Sequence, residues 1–146
     1  MRAQAFVVVA LLAAGCSGTS APRLVWEGGG GPRVMGPSAV AETLVPRSPG
    51  VRAGIWGPSP AATFQLLEAS TAELPHVHRE HDLTVVLLRG RGVLWVEDRA
   101  HRLRAGDVVH IARGRPHHFH PADGAVRALA IFTPTLDEAD FVPVAK

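Results

Sequence analysis

The sequence predicts an all-β domain that closes into a small barrel or a two-sheet sandwich. From residue 61 onward, short runs rich in Val, Leu, Ile and Phe are interrupted by Gly, Pro or Asp at intervals of about eight to twelve residues. Only the acidic residues 136–141 suggest a helical period. A chain of 146 residues is the usual size of one domain.

Seven strands are predicted in this region, each a β-rich run bounded by turn residues: 63–69, 83–88, 93–96, 100–103, 108–111, 117–120 and 126–132. Turns are predicted between them at residues 89–92, 97–98, 105–107, 114–116 and 123–124. The glycines in these turns need no catalytic explanation, because tight connections favour a residue without Cβ.

The first 15 residues have the pattern of an export signal, with Arg2 followed by the apolar residues 3–14. This run is too short to span a bilayer. The sequence LLAAGC resembles the lipobox of bacterial lipoproteins, which implies cleavage after residue 15 and a lipid on Cys16. A plain secretory signal is the alternative. The resemblance predicts a protein of the cell envelope, anchored to the outer membrane where the organism has one.

Residues 16–60 are interpreted as a tether and irregular lead-in, because they contain a GGGG run and scattered prolines. Two short apolar pieces, residues 24–26 and 42–46, are candidates for edge strands. The glycine run lacks the Lys-Ser or Lys-Thr that a phosphate-binding loop needs.

The charge balance argues against nucleic-acid binding. Lys and Arg number 15 and Asp and Glu number 13, and the cations are dispersed among turns. Arg89, Arg91, Arg113 and Arg115 cluster in two turns, which is more typical of solvated turns than of an anion site.

Three histidines form the strongest functional pattern. His76 and His78 are two residues apart, so on an extended strand both rings point to the same face. His117, at the start of another predicted strand, would be the third imidazole. Neutral imidazoles together with one carboxylate suit Fe, Mn, Ni, Cu or Zn and leave positions open for water or a substrate.

Two segments resemble the motifs of the cupin superfamily. His76, His78 and Gly90 match the first motif, and Gly106, Gly114 and His117 match the second, with Ala112 and Pro121 as departures. The resemblance covers roughly residues 63–132. It implies a double-stranded β-helix, or jelly roll, over residues 61–134, followed by a tail at residues 135–146. It also implies a small-molecule ligand and a possible homodimer.

The family adds an acidic ligand, for which Asp82 is preferred and Glu80 is the alternative. Both have the strand parity of His78, whereas His81 would need a bulge. The remaining histidines are expected at the surface or rim: His101, His110, His118 and His120.

No nucleophile with a partner is recognisable, so any chemistry must pass through the metal. The preferred hypothesis is a metal-dependent, dioxygenase-like enzyme similar to the quercetinase-like cupins. A binding module without turnover and a metal-free structural cupin remain as alternatives.

Overall fold

The structure, a computed structural model, describes residues 23–28, 31–36, 39, 42–57, 59–136 and 140–145. Within these ranges the chain forms β1 (Leu24–Trp26), β2 (Arg33–Met35), β3 (Val45–Ser48), β4 (Val51–Gly57), β5 (Thr63–Ala69), β6 (His76–Val77), β7 (Asp82–Arg89), β8 (Arg91–Val96), β9 (Arg99–Arg104), β10 (Val108–Ile111), β11 (His117–Pro121), β12 (Val126–Thr133) and β13 (Val142–Pro143). The seven predicted strands are confirmed as β5 and β7–β12, with ends that differ by at most two residues. No helix within the described part of the chain is long and apolar enough to cross a membrane.

The strands form two main antiparallel sheets. One has the order β10-β7-β12-β5-β4-β3 and the other has the order β13-β6-β11-β8-β9, while β1 and β2 make a separate hairpin. Several neighbouring strands are far apart in sequence, such as β12 beside β7 and β5, and β11 beside β6 and β8, as in a jelly roll. The predicted all-β fold is therefore confirmed.

The core lies between the two sheets. Its buried members come from both of them, and β12 at the centre of the six-stranded sheet buries every second side chain from residue 126 to residue 132. This period of two is the consequence of the pleat. The interior cluster consists of Leu83, Leu94, Ile111, Ala130 and Phe132.

The turn at Gly90 shows why a glycine stands there. Its φ is +86°, and an added Cβ would lie 2.9 Å from Cγ2 of Val126. Both the backbone conformation and the close approach of β12 therefore favour a residue without a side chain.

The folded unit begins well before the predicted boundary at residue 61. β4 pairs with β5 along most of its length, and β3 forms the edge of the same sheet. Trp26 packs edge-on against Phe64 with ring centroids 5.4 Å apart. The segment interpreted as a tether thus adds two strands to the six-stranded sheet, and residues of β1 and β2 pack on the cluster where Leu44, Trp56 and Leu66 are buried together. Residues 1–15 and Cys16 lie outside the described residues.

The end of the chain also belongs to the fold. β13 pairs with β6, and Asp140 just before it is 5% exposed. The predicted tail at residues 135–146 therefore includes a strand and a buried carboxylate. Residues 137–139, within the suggested helix, lie outside the described part.

Candidate metal centre

Two neighbouring strands bring the three predicted imidazoles together. His76 on β6 lies directly opposite His117 on β11, and His78 follows the end of β6. All three side chains are buried, and one ligand nitrogen of each lies within 4.8 Å of the other two. The ring centroids are 4.4 to 5.5 Å apart. This separation suits three ligands of a single ion.

Hydrogen bonds aim the same nitrogen of each ring into the cluster. Nδ1 of His76 donates to the Leu74 carbonyl (2.9 Å), Nδ1 of His117 donates to the Arg115 carbonyl (2.9 Å), and Nδ1 of His78 donates to the Asp140 carbonyl (3.0 Å). A carbonyl oxygen can only accept, so each Nδ1 carries the proton and each Nε2 presents its lone pair. Nε2 of His117 is buried without a hydrogen-bond partner among the described residues.

Burial keeps these rings neutral at physiological pH. It lowers the pKa of His76 to about 3, with an added contribution from His117, and the pKa of His117 to about 4. Burial also lowers the pKa of His78. Neutral imidazoles are the form that binds a metal, so the donor set fits a divalent transition ion.

Asp82 is not brought into this cluster. Its carboxylate accepts hydrogen bonds from the backbone N–H (2.9 Å), Nε (3.1 Å) and Nη2 (3.0 Å) of Arg113. These bonds lower the pKa of Asp82 to about 2. The parity argument fails here because residues 79–81, between His78 and Asp82, are not in a strand. Glu80, the alternative, is exposed, and the group found among the described residues contains histidines alone.

His81 is buried but is not part of the cluster of His76, His78 and His117. Its Nδ1 bonds the Asp140 carboxylate, and its Nε2 lies 3.0 Å from the Thr135 carbonyl oxygen. Both partners are acceptors, so both ring nitrogens carry protons and the ring is positively charged. Burial alone would lower the pKa of His81, but the hydrogen bonds to Asp140 and Thr135 and the charge of Asp140 together outweigh it, and the net pKa is raised.

Asp140 contacts the His78 and His81 rings but was not predicted from the sequence. Its carboxylate accepts the backbone N–H groups of Arg79 (2.8 Å) and Glu80 (3.1 Å), besides the His81 ring. Burial would raise the pKa of Asp140, but these hydrogen bonds outweigh it and the pKa is lowered. In the sequence Asp140 is one of several acids near the C-terminus, and no spacing links it to the histidines.

Aromatic side chains surround the cluster. Phe132, a member of the interior cluster, meets the His78 ring edge-on at 5.0 Å. Phe141 stacks on His76 with centroids 4.2 Å apart and planes inclined by 23°. Because Phe141 is 49% exposed, it lies between the imidazoles and solvent.

A second buried carboxyl group lies beside β11. Oε2 of Glu73 accepts the Phe119 N–H at 3.1 Å, and the Glu73 N–H donates to the Phe119 carbonyl. Burial raises the pKa of Glu73 to about 7, and the single backbone donor offsets this only in part.

The other histidines lie away from the cluster. His118 stacks against Trp95 with nearly parallel planes and lies next to His120, which is exposed. His110 bonds Thr84 at the surface, and His101 is exposed on β9. Three arginines of the two turns are paired with carboxylates: Arg91 with Asp123, Arg113 with Asp82 and Arg115 with Glu97.

Residues 63–132 match the cupin domain family. This part of the chain is similar to cupin domains, and its two sheets form the double-stranded β-helix typical of that family. The match includes both histidine-bearing strands, whereas Asp140 lies beyond it.

One relative is an uncharacterized protein from Aquifex aeolicus (strain VF5), 39% identical over 79 residues, which are 54% of this chain and 65% of the relative. The chain therefore spans just under two thirds of that relative's length.

Solved structures show the same fold. KdgF from Halomonas sp. aligns with a TM-score of 0.62 at 20% identity, covering 65% of this chain and 88% of KdgF. Streptomyces Pac13, described as a nucleoside dehydratase and also solved with uridine, aligns with a TM-score of 0.61 at 16% identity. That alignment covers 72% of this chain and 89% of Pac13.

Proposed function

We propose that this protein is a metal-dependent cupin enzyme, with one divalent transition metal held by His76, His78 and His117, that acts on a small oxygen-bearing molecule. The observation that carries the proposal is the convergence of three buried, neutral rings whose Nδ1 atoms are already bonded. A buried imidazole nitrogen without a partner is costly unless something binds it, and His117 Nε2 is such an atom.

The number of ligands favours a catalytic site over a structural one. Structural zinc sites use four protein ligands, whereas catalytic sites use three and leave a position for water or substrate. A bound ion would supply Lewis-acid polarisation of a substrate oxygen, or a redox partner for dioxygen. Of the metals named from the sequence, Fe, Ni, Cu and Zn suit three imidazole nitrogens, whereas Mn prefers oxygen ligands.

The residues around the cluster define what kind of ligand fits. Phe132 and Phe141 contact the imidazole rings and limit the access of water to them. The adjoining interior cluster is entirely apolar. A molecule with oxygen donors at one end and an apolar or planar body therefore suits the site best.

We propose two alternative reactions at this site. The dioxygenase-like reaction is the one to test first. A redox-neutral reaction is the alternative, and it has support from Pac13, whose description as a nucleoside dehydratase indicates elimination of water. A third possibility, ligand or metal binding without turnover, uses the same three histidines.

Elemental analysis tests the site before any substrate is known. We expect protein that lacks residues 1–16, purified without added metal, to contain about one equivalent of a transition metal, and the His117→Ala variant to contain far less. Oxygen consumption is then measured with flavonols, diketones and thiols, and water elimination with nucleosides. Stoichiometric metal without turnover would favour the binding module, and protein that takes up no metal would contradict the proposal.

We further propose that the protein is exported and tethered to a membrane through a lipid on Cys16. The lipobox-like LLAAGC supports this, as does the presence of a single cysteine, which leaves no partner for an intrachain disulfide. Radiolabelled palmitate should appear in the wild-type protein and be absent from a Cys16→Ser variant, which should also leave the membrane fraction. Labelling that survives the substitution would contradict the tether.

The homodimer that the family resemblance implies stays a prediction, and light scattering would check it.

A further inference from the structure

Residues near the end of the chain run along β6 and the residue after it, which carry His76 and His78. We call residues 140–144 the C-terminal clasp. Val142 pairs with Val77 and Pro143 pairs with His76, and the Val144 N–H donates to the Pro75 carbonyl at 3.0 Å. The clasp is therefore joined to β6 by backbone contacts, although more than 60 residues separate His78 from Asp140 along the chain.

Asp140 connects the clasp to a metal ligand in two ways. Its main-chain carbonyl accepts the proton of His78 Nδ1 at 3.0 Å. Its carboxylate binds the N–H groups of Arg79 and Glu80, which immediately follow that histidine. The side chain thus fixes the position of its own carbonyl relative to the His78 ring.

The other two ligands have no such dependence. His76 and His117 each donate to a carbonyl two residues earlier in their own loops. Of the three Nδ1 acceptors, therefore, only that of His78 comes from a distant part of the chain, although the His76 ring also stacks on Phe141.

His81 supplies the charge that lets a carboxylate lie buried at this position. Its ring bonds Asp140 and Thr135, and both side chains of the His81–Asp140 pair are under 5% exposed. A buried carboxylate without a counter-ion would be costly. The pair also ties the clasp to residue 135, just after β12.

We propose that Asp140, held in place by His81, is a positioning residue of the metal centre, so that docking of the C-terminal clasp and binding of the ion are coupled. This inference rests on the proposed metal site. An outer partner of a metal-binding histidine fixes the tautomer and direction of the ring, and its loss typically lowers metal affinity about 10–100-fold.

Two substitutions at residue 140 separate positioning from bulk stability. Asp140→Ala removes the acceptor for the Arg79 and Glu80 N–H groups and frees the carbonyl. Asp140→Asn keeps an oxygen acceptor for them, and its amide can donate to a neutral His81 ring. We expect Zn²⁺ affinity, measured by competition with a chromophoric chelator, to fall about 10–100-fold in Asp140→Ala and to be largely recovered in Asp140→Asn. The visible spectrum of the Co²⁺-loaded protein should change in the alanine variant alone.

Leu66→Ala is the matched control for general destabilisation. Leu66 is buried in the cluster on the outer face of the six-stranded sheet and contacts no member of the metal centre. The Leu66→Ala substitution should lower the melting temperature of the apo-protein while leaving Zn²⁺ affinity and the Co²⁺ spectrum unchanged. Equal losses of affinity in Leu66→Ala and Asp140→Ala would overturn the inference.

A measurement on the wild-type protein avoids variants that fail to fold. Coupling predicts that Zn²⁺ slows hydrogen exchange of the backbone amides in the clasp, and slows it less at residues 51–55 of β4. Unchanged exchange in the clasp on metal binding, or wild-type affinity in Asp140→Ala, would contradict the inference and leave the metal site standing. If the wild-type protein binds neither Zn²⁺ nor Co²⁺, both the proposed metal site and the coupling inference are contradicted.

Discussion

Two of the three proposed metal ligands differ from the third in the hydrogen bond that orients the ring. His76 and His117 obtain their Nδ1 acceptor from the carbonyl two residues earlier, so a short piece of chain supplies that hydrogen bond for each ring. His78 takes its acceptor from Asp140, near the other end of the domain. A metal centre can therefore combine ligands whose geometry is local with one whose geometry requires the whole fold.

The largest effect is expected from removing a ligand. Substituting Ala for any one of the three histidines should lower metal affinity by more than the roughly 10–100-fold typical of an outer partner. Elemental analysis after dialysis checks this. His118→Ala is the matched control, because His118 is adjacent to His117 but stacks on Trp95. Loss of metal in the control would contradict the assignment of ligands to one face of β11.

Metal removal should lower stability by a smaller, measurable amount. An ion that binds the folded state alone adds about 2.7 kcal/mol at a free concentration about 100 times its Kd. Thermal unfolding with and without a chelator measures this difference. The His117→Ala variant should show no dependence on added metal, and a dependence equal to that of the wild type would indicate binding elsewhere.

The carboxyl groups of Asp140 and Glu73 differ in the number of hydrogen bonds they accept. Asp140 has three donors and a lowered pKa, whereas Glu73 has one backbone donor and a pKa raised to about 7. Since the folded state binds the Glu73 proton more tightly than the unfolded state does, its stabilising effect is present below about pH 4.5 and is lost as the pH rises through about 7.

Glu73→Gln should therefore gain stability relative to the wild type as the pH rises from 4.5 to 7, by the order of 1–3 kcal/mol. Denaturant unfolding across that range measures the difference between the two proteins. The exposed Glu27→Gln is a suitable control. A difference that does not change with pH would mean that Glu73 is ionised throughout.

The smallest effect is expected at Asp82. Because its carboxylate is bonded to Arg113 outside the cluster, Asp82→Asn should leave the metal content and the Co²⁺ spectrum as in the wild type. A loss of metal in this variant would restore Asp82 as the fourth ligand.

These contrasts show what the sequence could and could not predict. The positions of β5 and β7–β12 follow from turn residues and a period of two, which act over a few residues. The parity argument for Asp82 failed where the chain leaves the strand at residues 79–81. Asp140 was missed because its partners are distant in sequence. Similarly, the half-buried Trp26 packs against Phe64, and the glycines and prolines near it along the chain give no sign of this tertiary contact.

The direct pairing of His76 with His117 has a consequence for how the domain could be reinforced. The two residues face each other across adjacent strands and enclose a long stretch of chain. An ion bound to both would restrict that stretch in the unfolded chain much as a disulfide does. With one cysteine in its sequence, this protein has no internal disulfide available, and coordination would act as its cross-link.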